Sequence, residues 1–433
     1  MKIGEVAAGA VMVVLNLGSV APVQAQVQKL LQDSAIPPIF SRGQNVSVVE
    51  RDRPELRPIG MPLGGFRLFP KVTVGGGSTD NVFQTTSDKK SDGYFNVDPD
   101  LTLRSQWARH SLSLNGRASL ERYIDTTTRN QNAWSVNAVG RVDVGTQSSI
   151  DMSASTGRSF QPMFSGQAVA GYRTPLGYQE SIFLLRGNYV GGRTRLIGAV
   201  DYSDYDFKNI ETLAGVVVSQ RGRNRQVWRT SGRGEYAISP DASIFVQTGY
   251  TDTKYPFTLN NGRPNRGSKD YTLLGGISFD VSALIRGSLG VGYTKRDYDA
   301  AIYKDSSGLS FEGKVEYFPS QLTTITLTGR RLIEDSALGV ASGYYNTGGS
   351  VRIDHELLRN LLLRATADYE VDDYIGVSSK ATVLRTSAGA RYLMNRRVSL
   401  NFELSYGDRD RDGPLTTPDF SEVRSVAGVT FQL

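Results

Sequence analysis

The histidines are the first residues to consider for catalysis, because a hydrolase of the Ser/His/Asp type needs an imidazole within hydrogen-bond reach of both partners. The chain has 2 histidines, His110 and His355, and each stands beside a short turn. Ser111 follows the first and Asp354 precedes the second. Neighbouring residues of a strand point to opposite faces, so neither pair can act together. The sequence therefore predicts no catalytic site.

A second candidate is the acidic stretch DRDRDG at residues 408–413. Aspartates alternate there, a glycine is sixth and Asp419 is twelfth, as in a calcium-binding loop. Arg409 and Arg411 stand between the aspartates, and no flanking helices are predicted. These features favour a flexible, charged extracellular loop over a calcium site. We predict neither a bound metal nor a cofactor.

The other charged residues fall on one face of long segments in which polar and apolar residues alternate. In residues 361–372, Leu363 and Tyr369 lie on one face, while Arg364 and Asp368 lie on the other. The charged face is the candidate functional surface, because rings of fixed charge set the selectivity of a pore. The residues predicted to line it and to set selectivity are Arg104, Arg117, Arg141, Arg352, Arg364, Arg391, Glu312, Glu316, Asp368 and Glu370.

The connections between these segments alternate in length. Short turns such as WARH and SPDA follow longer polar stretches such as residues 162–175, 256–269 and 408–421. Counting from Val72 gives about eighteen strands, within a range of about 16 to 18. The fold class is therefore all-β: a transmembrane antiparallel β-barrel with short periplasmic turns and longer extracellular loops.

A soluble β-sandwich or propeller is the alternative, but the charged face carries too many charges to fill a dry core. A barrel of this size encloses water, so the charges face inward and the apolar side chains face lipid. The last segment, SVAGVTFQL at residues 425–433, then closes the barrel against the first strand near residues 71–79.

Composition narrows the remaining classes. The chain has 433 residues and no cysteine, which excludes disulfides, cysteine-ligated zinc and thiol catalysis. A net charge of +6 comes from basic residues spread among the acidic ones, so a nucleic-acid partner is not expected. The interior has no apolar run long enough for a membrane helix. Residues 1–25 combine Lys2, an apolar stretch and small residues before Gln26, and they predict a cleaved signal peptide.

Residues 26–68 form a leader without strand alternation, and the barrel is predicted over residues 69–433. The leader is rich in proline and holds Arg51, Arg53 and Arg57. It is either a loosely ordered periplasmic segment or a plug strapped into the lumen. In the second case its arginines could pair with lumen carboxylates such as Asp368 and Glu370.

The motif RDRPELRPIGMPLGGFRLFPKVTVGGGSTDNVF, at residues 51–83, resembles the opening of the putative beta-barrel porin family, whose members are mainly outer-membrane proteins of alphaproteobacteria. The following DGYFNVDPDLTLRSQWARHSLSLNGRASLERY is similar to the same family, and the resemblance extends to the end of the chain. The last strand resembles the signature by which the barrel-insertion machinery recognises its clients. The resemblance implies an outer-membrane barrel, often encoded beside surface-polysaccharide genes, without established catalytic residues.

Two functions remain open. The first is a porin-like channel, either associated with export of a surface polysaccharide or open to small polar and anionic solutes. Its partners would be the outer-membrane bilayer, the insertion machinery and possible polysaccharide-export components. The second is a non-conducting barrel with a structural or anchoring role. The solute and the oligomeric state do not follow from the sequence.

Overall fold

The computed structural model describes residues 45–162, 164, 171–336, 341–414 and 419–433. The predicted signal peptide, residues 1–25, and the first part of the leader lie outside these residues. Both stay predictions.

The described residues form long strands and very little other regular structure. Strands of 13 to 16 residues dominate, and 3 short pieces accompany them. In chain order they are β1 (Met61–Leu63), β2 (Phe66–Thr79), β3 (Asp92–Ser105), β4 (Ser111–Tyr123), β5 (Gln131–Val144), β6 (Ser148–Phe160), β7 (Gly177–Gly191), β8 (Thr194–Phe207), β9 (Ile210–Glu211), β10 (Val217–Val218), β11 (Arg225–Ala237), β12 (Ala242–Lys254), β13 (Ser268–Val281), β14 (Ile285–Tyr298), β15 (Ser306–Ser320), β16 (Thr323–Asp335), β17 (Gly343–Leu358), β18 (Leu361–Tyr374), β19 (Lys380–Leu393), β20 (Val398–Asp412) and β21 (Phe420–Gln432). Single turns of 3-10 helix occur at Thr127–Arg129, Arg221–Arg223 and Ser282–Leu284.

The strands form a closed antiparallel barrel of 18 strands, which confirms the predicted fold class. Each long strand pairs with the one before it and the one after it, and β1 adds a short hairpin to β2. β9 and β10 pair with each other within the connection from β8 to β11.

The barrel closes where the first long strand meets the last. β2 pairs with β21 from Lys71 opposite Gln432 to Thr79 opposite Arg424, as the sequence predicted. Gly77 is required at this seam, because a Cβ atom there would lie 1.9 Å from the carbonyl oxygen of Ser425. The apolar last strand is therefore paired on both edges, with β20 and with β2.

The two faces of the wall separate as the alternation predicts. Large apolar side chains point outward and stay uncovered, for example Leu309 at 69% exposure and Val291 at 63%. Charged residues of the same strands, such as Glu312 and Arg296, are buried on the inner face. An outer surface of this kind suits lipid and is unfavourable in water. No helix among the described residues is long and apolar enough to cross a membrane.

The two ends of the barrel differ, and we refer to them as the short-turn end and the long-loop end. Both chain ends of the barrel, at Phe66 and Gln432, lie at the short-turn end. One predicted loop is shorter than expected: β20 continues to Asp412, so much of the stretch at 408–421 is strand. Arg409 and Arg411 are buried there while Asp410 and Asp412 are exposed, so the charges continue the strand alternation.

Candidate functional site: the lumen

All ten predicted selectivity residues lie on the inner face of the barrel. They are distributed over different walls and heights rather than gathered at one level. Glu312, Glu316 and Glu370 are buried, whereas Arg117 is exposed to the lumen. Arg352 and Arg364 both form an ion pair with Asp354: Arg364 Nε donates to Asp354 Oδ1 at 2.8 Å, and Arg352 Nε lies 2.9 Å from Asp354 Oδ2.

Residues 45–57, which we call the strap, lie inside the lumen at the short-turn end. Arg286 of β14 is their main anchor, and its side chain is only 2% exposed. Its Nη1 donates to the Asn45 carbonyl at 3.0 Å, its Nη2 to Glu50 at 2.6 Å and its Nε to Glu316 of β15 at 2.6 Å. One guanidinium thus joins the strap to two strands.

Two further groups of contacts fix the strap against the wall. The Asn45 side chain donates to Asp280 Oδ1 at 3.0 Å, and the Val48 backbone N–H donates to Thr324 Oγ1 at 3.0 Å. At the rim, Glu55 pairs with Arg359 of the turn between β17 and β18. Val48 is 1% exposed, so the strap is packed and not merely tethered.

The arginines of the strap do not use the predicted partners. Arg53 pairs with Glu356 of β17 at 2.5 Å, and Arg51 approaches the same carboxylate at 3.6 Å. Glu370 instead accepts from Arg330 at 3.0 Å and from Arg385 at 2.6 Å, on the wall itself. Within the described part of the leader, Arg51 and Arg53 thus pair with Glu356 and not with Glu370. The strap sits closer to the short-turn end than the level of these two residues.

The strap also changes the acidity of one of its own residues. Burial raises the pKa of Glu50, but the hydrogen bond and charge of Arg286, with hydrogen bonds from Ser47, more than offset it and hold the pKa below the usual 4.5. Glu50 is therefore ionised at neutral pH, and its ion pair holds the strap in place.

The opposite wall, strands β2 to β7, is wetter and less densely paired. Lys71 and Asp100 are 3.5 Å apart, Arg141 and Asp143 2.9 Å, and Arg186 and Asp151 3.0 Å. These pairs are partly exposed, so each contributes little to stability. Two predicted residues on this wall, Arg104 and Arg117, make no ion pair with any described residue. Arg104 lies over the Phe69 ring at 5.3 Å, and Arg117 Nε donates to Ser135 Oγ at 2.9 Å.

The sequence matches the family described as Putative beta-barrel porin 2 over residues 53–433. The chain belongs to this family. It is therefore a porin-like outer-membrane β-barrel, and its outer face lies in the lipid bilayer. Family and fold together indicate a channel rather than an enzyme. The wider expectation of an alphaproteobacterial source beside polysaccharide genes has no such support.

Solved outer-membrane proteins give backbone likenesses at low identity. OccK1 (OpdK) of Pseudomonas aeruginosa has 10% identity and a TM-score of 0.46, covering 84% of this chain and 99% of that one. A BenF-like porin from Pseudomonas fluorescens has 12% identity and a TM-score of 0.46, covering 86% and 100%. OccAB3 of Acinetobacter baumannii has 10% identity and a TM-score of 0.44, covering 84% and 99%. No curated protein sequence matches the chain.

At the long-loop end of this family member, the connections reach over the lumen. Phe164, from the connection between β6 and β7, packs against Phe420 in a tilted arrangement, with 4.9 Å between ring centroids. Its carbonyl accepts a hydrogen bond of 3.4 Å from Arg385 on the far wall. Arg223 of the β8–β11 connection donates to Gln161 at 3.0 Å. Two loops thus narrow the lumen opposite the strap.

Some residues of the lumen escaped the sequence analysis. Arg286, Glu50 and Glu356 were not among the candidates, although strand parity places Arg286 and Glu356 on the inner face. The alternation of a strand predicts which face a side chain is on, but not which residue it contacts. Glu50 lies in a segment that has no alternation of polar and apolar residues.

The rejected chemical candidates occupy structural positions. His110 Nδ1 accepts from the Asp143 backbone N–H at 3.0 Å, and His355 Nδ1 lies 3.0 Å from Thr323 Oγ1. Among the described residues, no group of histidine and acidic side chains is arranged to hold a metal ion.

Proposed function

We propose that this barrel is a channel for small polar solutes, with a modest preference for anions. The path follows the wetter wall of strands β2 to β7, beside the strap. Inward charges keep such a path hydrated, and the balance of their signs sets the preference.

One observation carries the proposal. Arg117 is exposed to the lumen in the middle of β4, and its only hydrogen bond to a described side chain is the one to Ser135. The neighbouring carboxylates Asp100, Asp143 and Asp151 are each engaged by a cation. Glu180 of β7 interacts electrostatically with Arg117 but forms no ion pair with it, so the positive charge at mid-height is only partly offset. Such a charge attracts anions and repels cations.

Small solutes suit the lumen better than a polysaccharide chain does. The strap fills part of the short-turn end, and the connections carrying Phe164 and Arg223 extend over the long-loop end. A polymer would have to displace both. The alternative of a non-conducting, anchoring barrel requires that these segments close the lumen completely.

Planar-bilayer recordings test the channel directly. We expect single-channel steps in KCl and a reversal potential that favours chloride, with the preference fading near 1 M salt, where the screening length falls to about 3 Å. Arg117→Glu should abolish or reverse the preference without closing the pore. Arg122→Glu is the matched control, because Arg122 lies on the same strand but on the outer face.

Two results would reject the proposal. A folded barrel that never conducts would favour the anchoring role. If the anion preference is unchanged in Arg117→Glu, then Arg117 does not line the path of the ions.

A further inference from the structure

A cavity lies between the strap and the wall formed by strands β17 to β21. Val48 and Val49 of the strap form one side of it. The polar residues on the wall side are Asp354, Arg364, Arg391, Asn401 and Glu403. The cavity thus has one apolar side and one side that carries both positive and negative side chains.

Arg391 is the unusual member of this set. It faces inward on β19, opposite Leu362 on one neighbouring strand and Asn401 on the other. Its Nε and Nη1 atoms are shielded from solvent and have no hydrogen-bond partner among the described residues. A shielded guanidinium without an acceptor costs free energy, so such groups are normally paired.

The surroundings of Arg391 are positive. Arg364 and Arg53 both lie close enough to repel it electrostatically. Asp354, the acidic residue on the wall beside Arg364, is already shared by Arg364 and Arg352. Glu403, the other carboxylate of the cavity, interacts electrostatically with Arg364 and Arg424 and is not an ion-pair partner of Arg391. Arg391 therefore has room for an anionic partner from outside the wall.

The same cavity also offers acceptors. Glu403 makes no hydrogen bond or ion pair with any described residue, and its carboxyl oxygens can accept hydrogen bonds. Asn401 uses one amide hydrogen on Thr430 Oγ1, at 2.9 Å. Its amide carbonyl is thus available to accept a further hydrogen bond. A matching solute needs hydroxyl groups that donate, beside the anionic group that Arg391 requires.

We propose that this cavity binds a small hydroxylated carboxylate, of the kind represented by a sugar acid. The solute carboxylate accepts from Arg391 and from the cation-rich side near Arg364, and its hydroxyls donate to Glu403 and Asn401. The carbon face of the ring packs on Val48 and Val49. Water reaches the site, because the Arg364 side chain is 31% exposed. The inference names a solute class for the proposed channel and so rests on that proposal.

Isothermal titration calorimetry on the folded full-length barrel in detergent tests the site without requiring conduction. The probes are glucuronate, glucose and propionate, which carry both groups, only hydroxyls and only a carboxylate. We expect glucuronate to bind, and the other two to bind about tenfold more weakly or worse, since each lacks one set of charge-assisted hydrogen bonds.

Variants assign the roles. Arg391→Gln should weaken glucuronate binding about tenfold or more, and Arg391→Lys should recover part of the loss because it keeps the charge. Glu403→Gln should weaken glucuronate but not propionate. Arg158→Gln, on the outer face of β6, should change nothing. Heat-modifiable migration in gel electrophoresis verifies that each variant is folded.

The outcomes separate the site from the channel. Undetectable glucuronate binding, equal binding of glucose, or full binding by a folded Arg391→Gln variant each overturns the site. If the barrel conducts KCl but binds none of the probes, the proposed site is rejected and the proposed channel stands. If the barrel binds glucuronate through Arg391 but never conducts, the proposed site stands and the proposed channel is rejected.

Discussion

Two adjacent residues of β18 show how much depends on the direction of a single side chain. Thr366 faces the lumen, where its hydroxyl lies 2.8 Å from Ser387 Oγ. Ala367 faces outward and is exposed. Both lie near the middle of the strand Leu361–Tyr374, so they share a depth in the membrane. Only their surroundings differ, since one meets water and the other meets lipid.

This difference gives a prediction at the residue scale. Ala367→Arg should destabilise the folded barrel by about 2–4 kcal/mol, the cost of a cation on the lipid face near the bilayer midplane. Thr366→Arg, one residue away, should cost much less. Urea unfolding in lipid vesicles, followed by tryptophan fluorescence, measures both. Equal losses for the two variants would contradict the assigned faces.

At this scale the sequence predicted the faces but not the partners. Alternation alone assigns Arg364, Asp368 and Glu370 to the inner face. It could not show that Glu370 accepts from Arg330 and Arg385, because those contacts depend on how long side chains cross between strands. The pairing of Arg53 with Glu356 joins residues 303 positions apart and leaves no local pattern.

The strap is an element held by charge more than by regular structure. It contains turns but no strand, and its contacts run through Arg286, Thr324 and Glu356 of three different strands. The docking of the strap depends on pH through Glu50. Its pKa is lowered in the docked state, so the ionised form of Glu50 stabilises docking. That contribution is complete above the usual pKa of 4.5 and is lost as pH falls through the lower docked value.

A prediction at the element scale follows. A nitroxide attached at Val46→Cys, an exposed position in a chain without cysteine, should be immobile at pH 7 and gain mobility as pH falls below 4.5. Electron paramagnetic resonance measures this directly. Adding Glu50→Gln should leave the label mobile at both pH values, which isolates Glu50 from Asp280, Glu316 and Glu356. An unchanged transition in that variant would assign the effect to another carboxylate.

Strands were predictable as elements and the strap was not. A period of two continues through β20 as far as Asp412, and only the interpretation of DRDRDG as a loop obscured it. Residues 45–57 have no period, and their proline-rich surroundings suggested a leader that was either free or docked. Whether the leader is free or docked depends on complementary charges on the barrel wall. These charges come from different strands and are brought together only in the closed barrel.

On the scale of the whole molecule, the lumen is divided unequally. Strands β13 to β18 carry the buried pairs and the strap, while strands β2 to β7 carry the exposed charges. The cross-section open to solutes is therefore smaller than the strand number suggests. Counting strands in the sequence predicted the circumference of the barrel, but not how much of the lumen is filled by side chains and the strap.

The unequal division gives a prediction for the complete barrel. The double variant Glu50→Ala, Arg53→Ala removes the two buried ion pairs of the strap, with Arg286 and with Glu356. It should raise single-channel conductance about twofold or more, because a loosened strap widens the wetted path. The matched control is Asp52→Ala, Arg57→Ala, which removes an exposed pair within the strap. Conductance should stay unchanged there. An equal rise in both variants would show that the strap ion pairs do not restrict the path.

The seam between β2 and β21 also governs the order of assembly. All other pairings of the barrel join strands that follow one another, whereas Thr73 and Thr430 meet across 357 positions. Closing so long a loop costs chain entropy that local pairings do not, so we expect this contact to form last. Until then β2 presents an open edge, the state most prone to joining a second chain. A chain truncated before Phe420 should stay in that state, and its amides at residues 71–79 should exchange freely with deuterium.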